Sequence, residues 1–294
     1  MECIDSALNQ TCEDFELIIV NDNSPYDVEG IIKNYNDSRI KYYKNSVGFG
    51  VEKVVGNWNR CLEYAHGDYI ICMGDDDKLL PNFLEDLSTL INKYPDLDIY
   101  YSRTQLINEK SIIFETLPIR PEQESVYEMI LRRWNGGSMF IGDYCYRVSS
   151  LRARGGFYDL PFAWGSDAIS AYEAAKQKGI ANTHRPGFQY RVNQHSISSN
   201  SNNINGKIFA IKQERKWFED FFRQDAPNSK DQKILLQLRS MMHSHFVHMV
   251  SADIIHGVMC HPMQQIKYWT PQRKEIGLSR WELIKCFIHG VIGK

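Results

Sequence analysis

Three consecutive carboxylates, Asp75-Asp76-Asp77, follow the apolar run Tyr69–Met73 after a single glycine, Gly74. Charges on adjacent residues repel one another, so fold stability alone does not favour this arrangement. A divalent cation relieves the repulsion. Mg²⁺ and Mn²⁺ prefer hard oxygen ligands and usually take one or two carboxylates from the protein and the rest from substrate phosphates. A solvated acidic loop capping the helix that starts at Pro81 explains the same residues, because acidic side chains stabilise a helix N-terminus. On the triplet alone the two readings are even.

The elements that position the triplet can be read from periodicity. The first hundred residues alternate strand and helix signals. Glu16–Val20 is a short apolar run ending at Asn21-Asp22-Asn23-Ser24-Pro25, which predicts a buried strand and a polar turn. Val28, Ile31, Ile32 and Tyr35 recur at helical spacing, and Ile40–Tyr43 reads as a second strand. Val51, Val54, Val55, Trp58, Cys61, Leu62 and Ala65 mark one face of a helix. Tyr69–Met73 is a third strand, Pro81 fits the first turn of the next helix, and Leu97–Ser102 is a fourth strand. Such alternation indicates βαβ units and a parallel sheet covered on both faces. These sheets bind ligands beyond the carboxyl ends of their strands. Asp22 and Asp75 to Asp77 directly follow strands and are therefore expected close together along one edge.

Further on, Ser138–Val148 predicts a strand, Gly155-Gly156-Phe157 a turn, and Ser166 the start of a helix closed by Gly179. Residues 193–206 are rich in Asn and Ser and read as a linker. Beyond it, apolar stripes such as Leu235, Leu238, Met242, Phe246 and Met249 predict helices. The chain of 294 residues is 43% hydrophobic with a net charge of −2, so it has ample core and no bulk attraction for nucleic acid. Its seven cysteines include no CxxC pair, which suits free thiols in a reducing compartment. No signal peptide and no membrane-spanning run is evident, and a cytoplasmic location is expected.

Several stretches carry a resemblance when taken in order. They are Glu2–Thr11 (ECIDSALNQT), Phe15–Ser24 (FELIIVNDNS), Asn57–Leu62 (NWNRCL), Gly67–Ile70 (GDYI), Asp76–Pro81 (DDKLLP), and Tyr190–Val192 followed by Ser196–Ser198. With these motifs, residues 2 to about 200 resemble the inverting family-2 glycosyltransferases, which have the glycosyltransferase A fold. The resemblance implies an α/β fold, Rossmann-like, with a mostly parallel mixed sheet flanked by helices. It places a catalytic domain at 1–200 and a helical extension at 201–294.

The resemblance also implies roles. The family's metal turn is typically Asp-x-Asp-Asp; here Gly74 stands at the first acid, and Asp75-x-Asp77 still offers a carboxylate pair. Asp75, Asp76 and Asp77 are expected to hold Mn²⁺ or Mg²⁺, and Asp75 and Asp76 also to contact the nucleotide-sugar. Which acid touches the metal and which the ribose stays open. Asn21 and Asp22 fall where the family contacts a uracil-type base or ribose, and Asn45 and Asn59 match further polar positions. Asx turns and helix-surface chemistry explain these four residues as well. Asp167, preceded by Ser166 instead of the usual Glu, matches the catalytic base. An inverting transfer needs a carboxylate opposite the leaving phosphate to take the acceptor hydroxyl proton. Near a helix N-terminus Asp167 is expected to stay anionic. The His that often follows Tyr-Arg-x is Asn193 here, which makes His195 a metal candidate. Trp134 and Trp164 are candidates to stack on a sugar, or core residues.

The expected activity is transfer of a sugar, with inversion, from a nucleotide-diphosphate sugar donor to a hydroxyl of a glycan or lipid-linked glycan acceptor, in cell-surface polysaccharide assembly. The alternatives are a nucleotidyltransferase, disfavoured by the lack of a Gly-rich basic loop, and an inactive nucleotide- or glycan-binding remnant. The segment Trp281–Lys294 mixes apolar and basic residues. It is expected either to touch the inner face of the plasma membrane or to pack on the catalytic domain. Family members also carry an inner strand before the helix corresponding to Glu2–Asn9. A sheet without it exposes pairing edges, and weak donor binding is the expected consequence.

Overall fold

The computed structural model describes residues 1–193 and 204–293. They group into two compact units. One holds Met1–Asp159 and the chain from Ser166 to 193; the other holds Leu160–Gly165 and 204–293. The expected boundary at 200 falls outside the described residues.

The first unit contains α1 (Glu2–Leu8), β1 (Leu17–Asn21), α2 (Val28–Ile32), β2 (Ile40–Lys44), α3 (Val54–Tyr64), β3 (Tyr69–Ile71), β4 (Lys78–Leu79), α4 (Phe83–Lys93) and β5 (Ile99–Ile107). It continues with β6 (Ile113–Thr116), β7 (Gln123–Glu124), α5 (Val126–Trp134), β8 (Tyr144–Arg147), α6 (Val148–Ala153), α7 (Ser166–Ala175) and β9 (Ile180–Arg191). The main sheet runs β3-β8-β5-β9-β4, with β6 added to β5 and β7 to β9. It is mixed. The parallel pair β5–β9 forms its centre, and the short strand β8 pairs antiparallel with both β3 and β5. Strands β3, β5 and β9 therefore point the same way, as chain alternation predicts, but an antiparallel strand separates β3 from β5. The expected strand over Ser138–Val148 is confined to β8, because a 3₁₀ turn at Ile141–Asp143 precedes it.

β5 explains why the sheet holds together. Ile99, Tyr100, Tyr101 and Ile107 along it are fully buried. The amphipathic helix α4 covers one face with Phe83, Leu87 and Leu90, which pack with Tyr100, Ala181 and Phe188. β9 is the longest strand, and its sequence hides it: the Pro186-Gly187 pair interrupts any alternation. The structure accommodates the pair through register shifts where β5 passes Arg103. α5 starts at a reciprocal cap in which the Ser125 hydroxyl and the Glu128 carboxylate each accept the other's backbone N–H.

β1 and β2 pair in parallel with each other and form a separate two-stranded sheet. The Glu16 carboxylate accepts the N–H groups of His66 (2.6 Å) and Gly67 (3.2 Å), so β1 and β3 begin side by side. They do not pair. A cavity of about 820 Å³ lies between them, lined by Leu17 and Ile18 on one side and Tyr69–Met73 on the other.

The second unit is helical, with α8 (Ile204–Phe221), α9 (Ser229–Cys260), α10 (Pro262–Gln272) and α11 (Arg280–Ile292). Ile204, Ile208, Ile211 and Phe218 of α8, and Leu235, Leu238, Phe246 and Ile254 of α9, are buried. Among the described residues no helix is long and apolar enough to cross a membrane.

The turn from α7 into β9 sets where both elements sit. Gly179 has φ +76°, and a Cβ there would fall 2.3 Å from the Glu124 carbonyl oxygen. Gly179→Ala therefore combines left-handed strain with a backbone clash. It should destabilise the protein by about 2 kcal/mol or more, read as a lower urea midpoint at unchanged slope.

Candidate functional site

The acidic turn joins β3 to β4. Asp75 and Asp76 are exposed and Asp77 is buried. A Cβ at position 74 would lie 2.8 Å from Asp76 Oδ1 and 3.3 Å from Asp77 Oδ2, so glycine lets both carboxylates fold back over the turn. The first turn of α1 packs beside it, with the Cys3 thiol donating to the Gly74 carbonyl at 3.6 Å.

The end of β9 closes the turn from the other side. The Arg191 backbone N–H donates to Asp77 Oδ1 at 2.9 Å, and its Nε donates to the Asp76 carbonyl at 2.7 Å. The same guanidinium reaches the carbonyls of Asn108 (3.0 Å) and Glu109 (3.2 Å) and pairs with Glu2 at 2.7 Å. Asn193 Nδ2 donates to Asp76 Oδ2 at 2.9 Å. Arg191 thus gathers α1, the acidic turn and the 108–109 loop around one cation.

Electrostatics separates the three acids. Burial pushes the Asp77 carboxyl up to about 8, with Asp76 and Asp143 adding to the rise and the Arg191 N–H opposing it. Asp76 is raised by partial burial and by Asp75, while Arg191 and Asn193 hold it down. Asp75 and Asp76 are the exposed carboxylates of the turn.

Asp143, which ends the 3₁₀ turn Ile141–Asp143, is fully buried. Thr104 Oγ1 donates to one of its oxygens and the Phe140 N–H to the other, the latter at 2.8 Å. Burial raises its carboxyl to about 7 and Asp167 adds to the rise, while Arg120 pulls it down. Asp167 opens α7 and is half-buried, with Oδ1 accepting the Ala168 N–H at 2.8 Å. Its pKa is raised by burial, against the pull of Arg133 and the helix N–H. Desolvation thus acts against the helix terminus at this carboxylate. Tyr190, stacked on Phe140 with centroids 3.7 Å apart, is pushed up to about 12 by burial and then by Asp77, Asp76, Asp167 and Asp143. The acids of the turn, Asp143 and Asp167 thus all act on the same ring.

Among the described residues no three His, Cys, Asp or Glu side chains converge as a preformed metal centre. The exposed pair Asp75 and Asp76 nevertheless offers the one or two carboxylates that Mg²⁺ or Mn²⁺ takes when a diphosphate supplies the rest. Asp77 is buried and accepts the Arg191 N–H. His195 lies outside the described residues.

The other residues singled out from the sequence surround β1. The Asp22 carboxylate accepts from Asn45 Nδ2 (2.8 Å) and from the N–H groups of Phe49 and Gly50 (both 2.9 Å). Asn21 is buried, accepts the Ser24 N–H at 2.8 Å and donates to the Tyr42 hydroxyl at 3.0 Å. Asn45 also donates to Asn57 at 3.0 Å. These three residues form one connected network that shapes the 45–50 loop. Asn59 is elsewhere, with its carbonyl accepting the Phe157 N–H at 2.8 Å and fixing the 155–157 turn. Trp134 ends α5 and is half-buried. Trp164 belongs to the helical unit, where Lys207 stands over its ring at 4.7 Å.

Residues 1–153 match Glycosyl transferase family 2, just over half of the chain. The protein belongs to that family. It is 28% identical over 200 residues to the Escherichia coli UDP-Glc:α-D-GlcNAc-diphosphoundecaprenol β-1,3-glucosyltransferase WfgD, covering 67% of this chain and 73% of that protein. It is 36% identical over 94 residues to a Campylobacter jejuni GalNAc(5)-diNAcBac-PP-undecaprenol β-1,3-glucosyltransferase, covering 31% of this chain and 29% of that one. The structure of Staphylococcus aureus TarS residues 1–349 in complex with UDP-GlcNAc superposes with a TM-score of 0.67 at 14% identity, covering 98% of this chain and 85% of that one. The chain therefore has the glycosyltransferase A fold, and glycosyltransferase is its activity class.

The fully buried position of Asp143 yields a pH test. Its folded carboxyl titrates near 7 and its unfolded one near the ordinary Asp value, so as pH rises between them the unfolded state ionises first and stability is lost. Asp143→Asn removes that titration. The variant should gain on the parent from about pH 4 to pH 7, by on the order of 4 kcal/mol in total, and no further above it. Urea melts across this range check the result.

Proposed function

We propose that this chain transfers a sugar from a UDP-sugar to a hydroxyl of a lipid-diphosphate-linked glycan, with inversion, in the assembly of a cell-surface polysaccharide. The observation that carries this reading is the convergence of the acidic turn and Asp167 around Tyr190. The donor class follows the UDP-sugars named for the Escherichia coli relative and bound to the Staphylococcus aureus structure, and the acceptor class follows the undecaprenol-linked acceptors of two relatives.

In this reading Asp75 and Asp76 bind Mn²⁺ or Mg²⁺ together with the donor diphosphate, where the cation's chemistry is to offset charge on the leaving group. Asn21, Asp22 and Asn45 act through the 45–50 loop on the base and ribose side. Arg191 and Asn193 fix the turn so that its two exposed carboxylates stay aimed at the diphosphate. Asp167 accepts the acceptor hydroxyl proton as that oxygen forms its bond to the anomeric carbon and the bond to the diphosphate oxygen breaks. Its raised pKa strengthens it as a base, since a base works best when its pKa lies nearer the working pH. A nucleoside diphosphate leaves, and the anomeric configuration inverts because attack comes from the face opposite it.

Asp167→Asn keeps the size of the side chain and removes its basicity. Transfer from a UDP-sugar in the presence of Mn²⁺ should fall by about 10²–10⁴-fold while donor affinity, measured by calorimetry, stays within about twofold. Retained turnover rules out Asp167 as the base.

A further inference from the structure

α11 presents two faces of different character. Leu283, Cys286 and Gly290 are buried on one side. Trp281, Ile284, Ile288, Val291 and Ile292 are exposed, from 43% for Ile284 to 73% for Trp281. At 3.6 residues per turn, these five positions fall within an arc of about 100°. They are not scattered surface residues but a continuous apolar stripe. Arg280 borders it on one side and Lys285 on the other, both exposed. The only acid in the helix, Glu282, points away from the stripe: it caps the helix through Ser279 and meets His243 at 3.3 Å.

We infer that the outer face of α11 docks on an anionic lipid bilayer. An apolar stripe with a tryptophan at one end and cations along both borders matches the two layers of such a surface, acyl chain below and anionic headgroup above. Thirteen residues of helix reach roughly 20 Å, short of the roughly 30 Å hydrocarbon core, so the helix lies in the interface and does not cross it. The inference deepens the proposed function, on which it rests for its purpose: an acceptor carried on a lipid diphosphate is presented at a bilayer surface, and an enzyme held there meets it in two dimensions.

Co-sedimentation of the full chain with vesicles, without donor or metal, tests this independently of catalysis. The chain should pellet with 1:1 phosphatidylglycerol–phosphatidylethanolamine vesicles and much less with phosphatidylcholine alone. The double variant Ile284→Asn, Ile288→Asn, changed only on the exposed face, should keep its melting temperature and lose about tenfold or more in partitioning. Arg280→Glu with Lys285→Glu should abolish the preference for anionic lipid. Equal pelleting of the apolar double variant and the parent overturns the proposal. So does light scattering that shows a dimer lost in that variant, because the stripe then covers a second copy of the chain. Failure of sugar transfer with intact vesicle binding would refute the proposed activity and leave the docking face standing.

Discussion

Asp77, Asp143 and Asp167 are all held above the ordinary carboxylate range, chiefly by burial. Each is drawn from water, and each lies within the field of at least one of the others. Unpaired carboxylates in such surroundings keep a proton or find a counter-charge. The structure uses both remedies. Arg120 lies buried near Asp143, and the Arg191 N–H holds Asp77, yet burial still prevails at both acids. Asp75 and Asp76 stay exposed on the outer side of the turn, Asp76 also accepting from Asn193.

Arg191 is the mechanical support of that turn. Its side chain contacts reach from Glu2 in the first helix through the acidic turn to the 108–109 loop. One guanidinium, with five donors in a fixed plane, can bind several carbonyls and a carboxylate at once where lysine cannot. The position of the turn therefore depends on β9 arriving in register beside β5, and β9 in turn depends on the left-handed turn at Gly179 that ends α7. Asp167 opens that same α7, so the candidate base and the acidic turn both depend on one stretch of chain.

How much of this was legible in the sequence depends on where each signal came from. The acidic turn was visible as three acids after an apolar run, but a helix-capping loop explained it equally well until the family resemblance was added. Strands β1, β2 and β3 were readable as apolar runs bounded by turn residues. β9 was not, since Pro186 and Gly187 break its pattern and only pairing with β5 makes it a strand. Asp143 resembled an ordinary turn residue in Gly142-Asp143-Tyr144; only the fold shows that a 3₁₀ turn carries it inside. Asp22 and Asn59 were visible as polar residues near strand and helix ends, but their partners lie 23 to 98 positions away and no local spacing could reveal them. The resemblance to family 2 named a role for Asp167; its partial burial, which acts against the helix terminus, needed the tertiary structure.

The central claim is that the exposed pair Asp75 and Asp76 and the base Asp167 address the same donor. Crystals grown with Mn²⁺ and UDP, recorded at a wavelength where manganese scatters anomalously, test it most directly. The account predicts a single manganese peak at about 2.1 Å from a carboxylate oxygen of Asp75 or Asp76, bridged to the diphosphate, with the outer phosphate on the side of the turn that faces Asp167. UDP bound with manganese away from the turn, or a diphosphate turned away from Asp167, would contradict it.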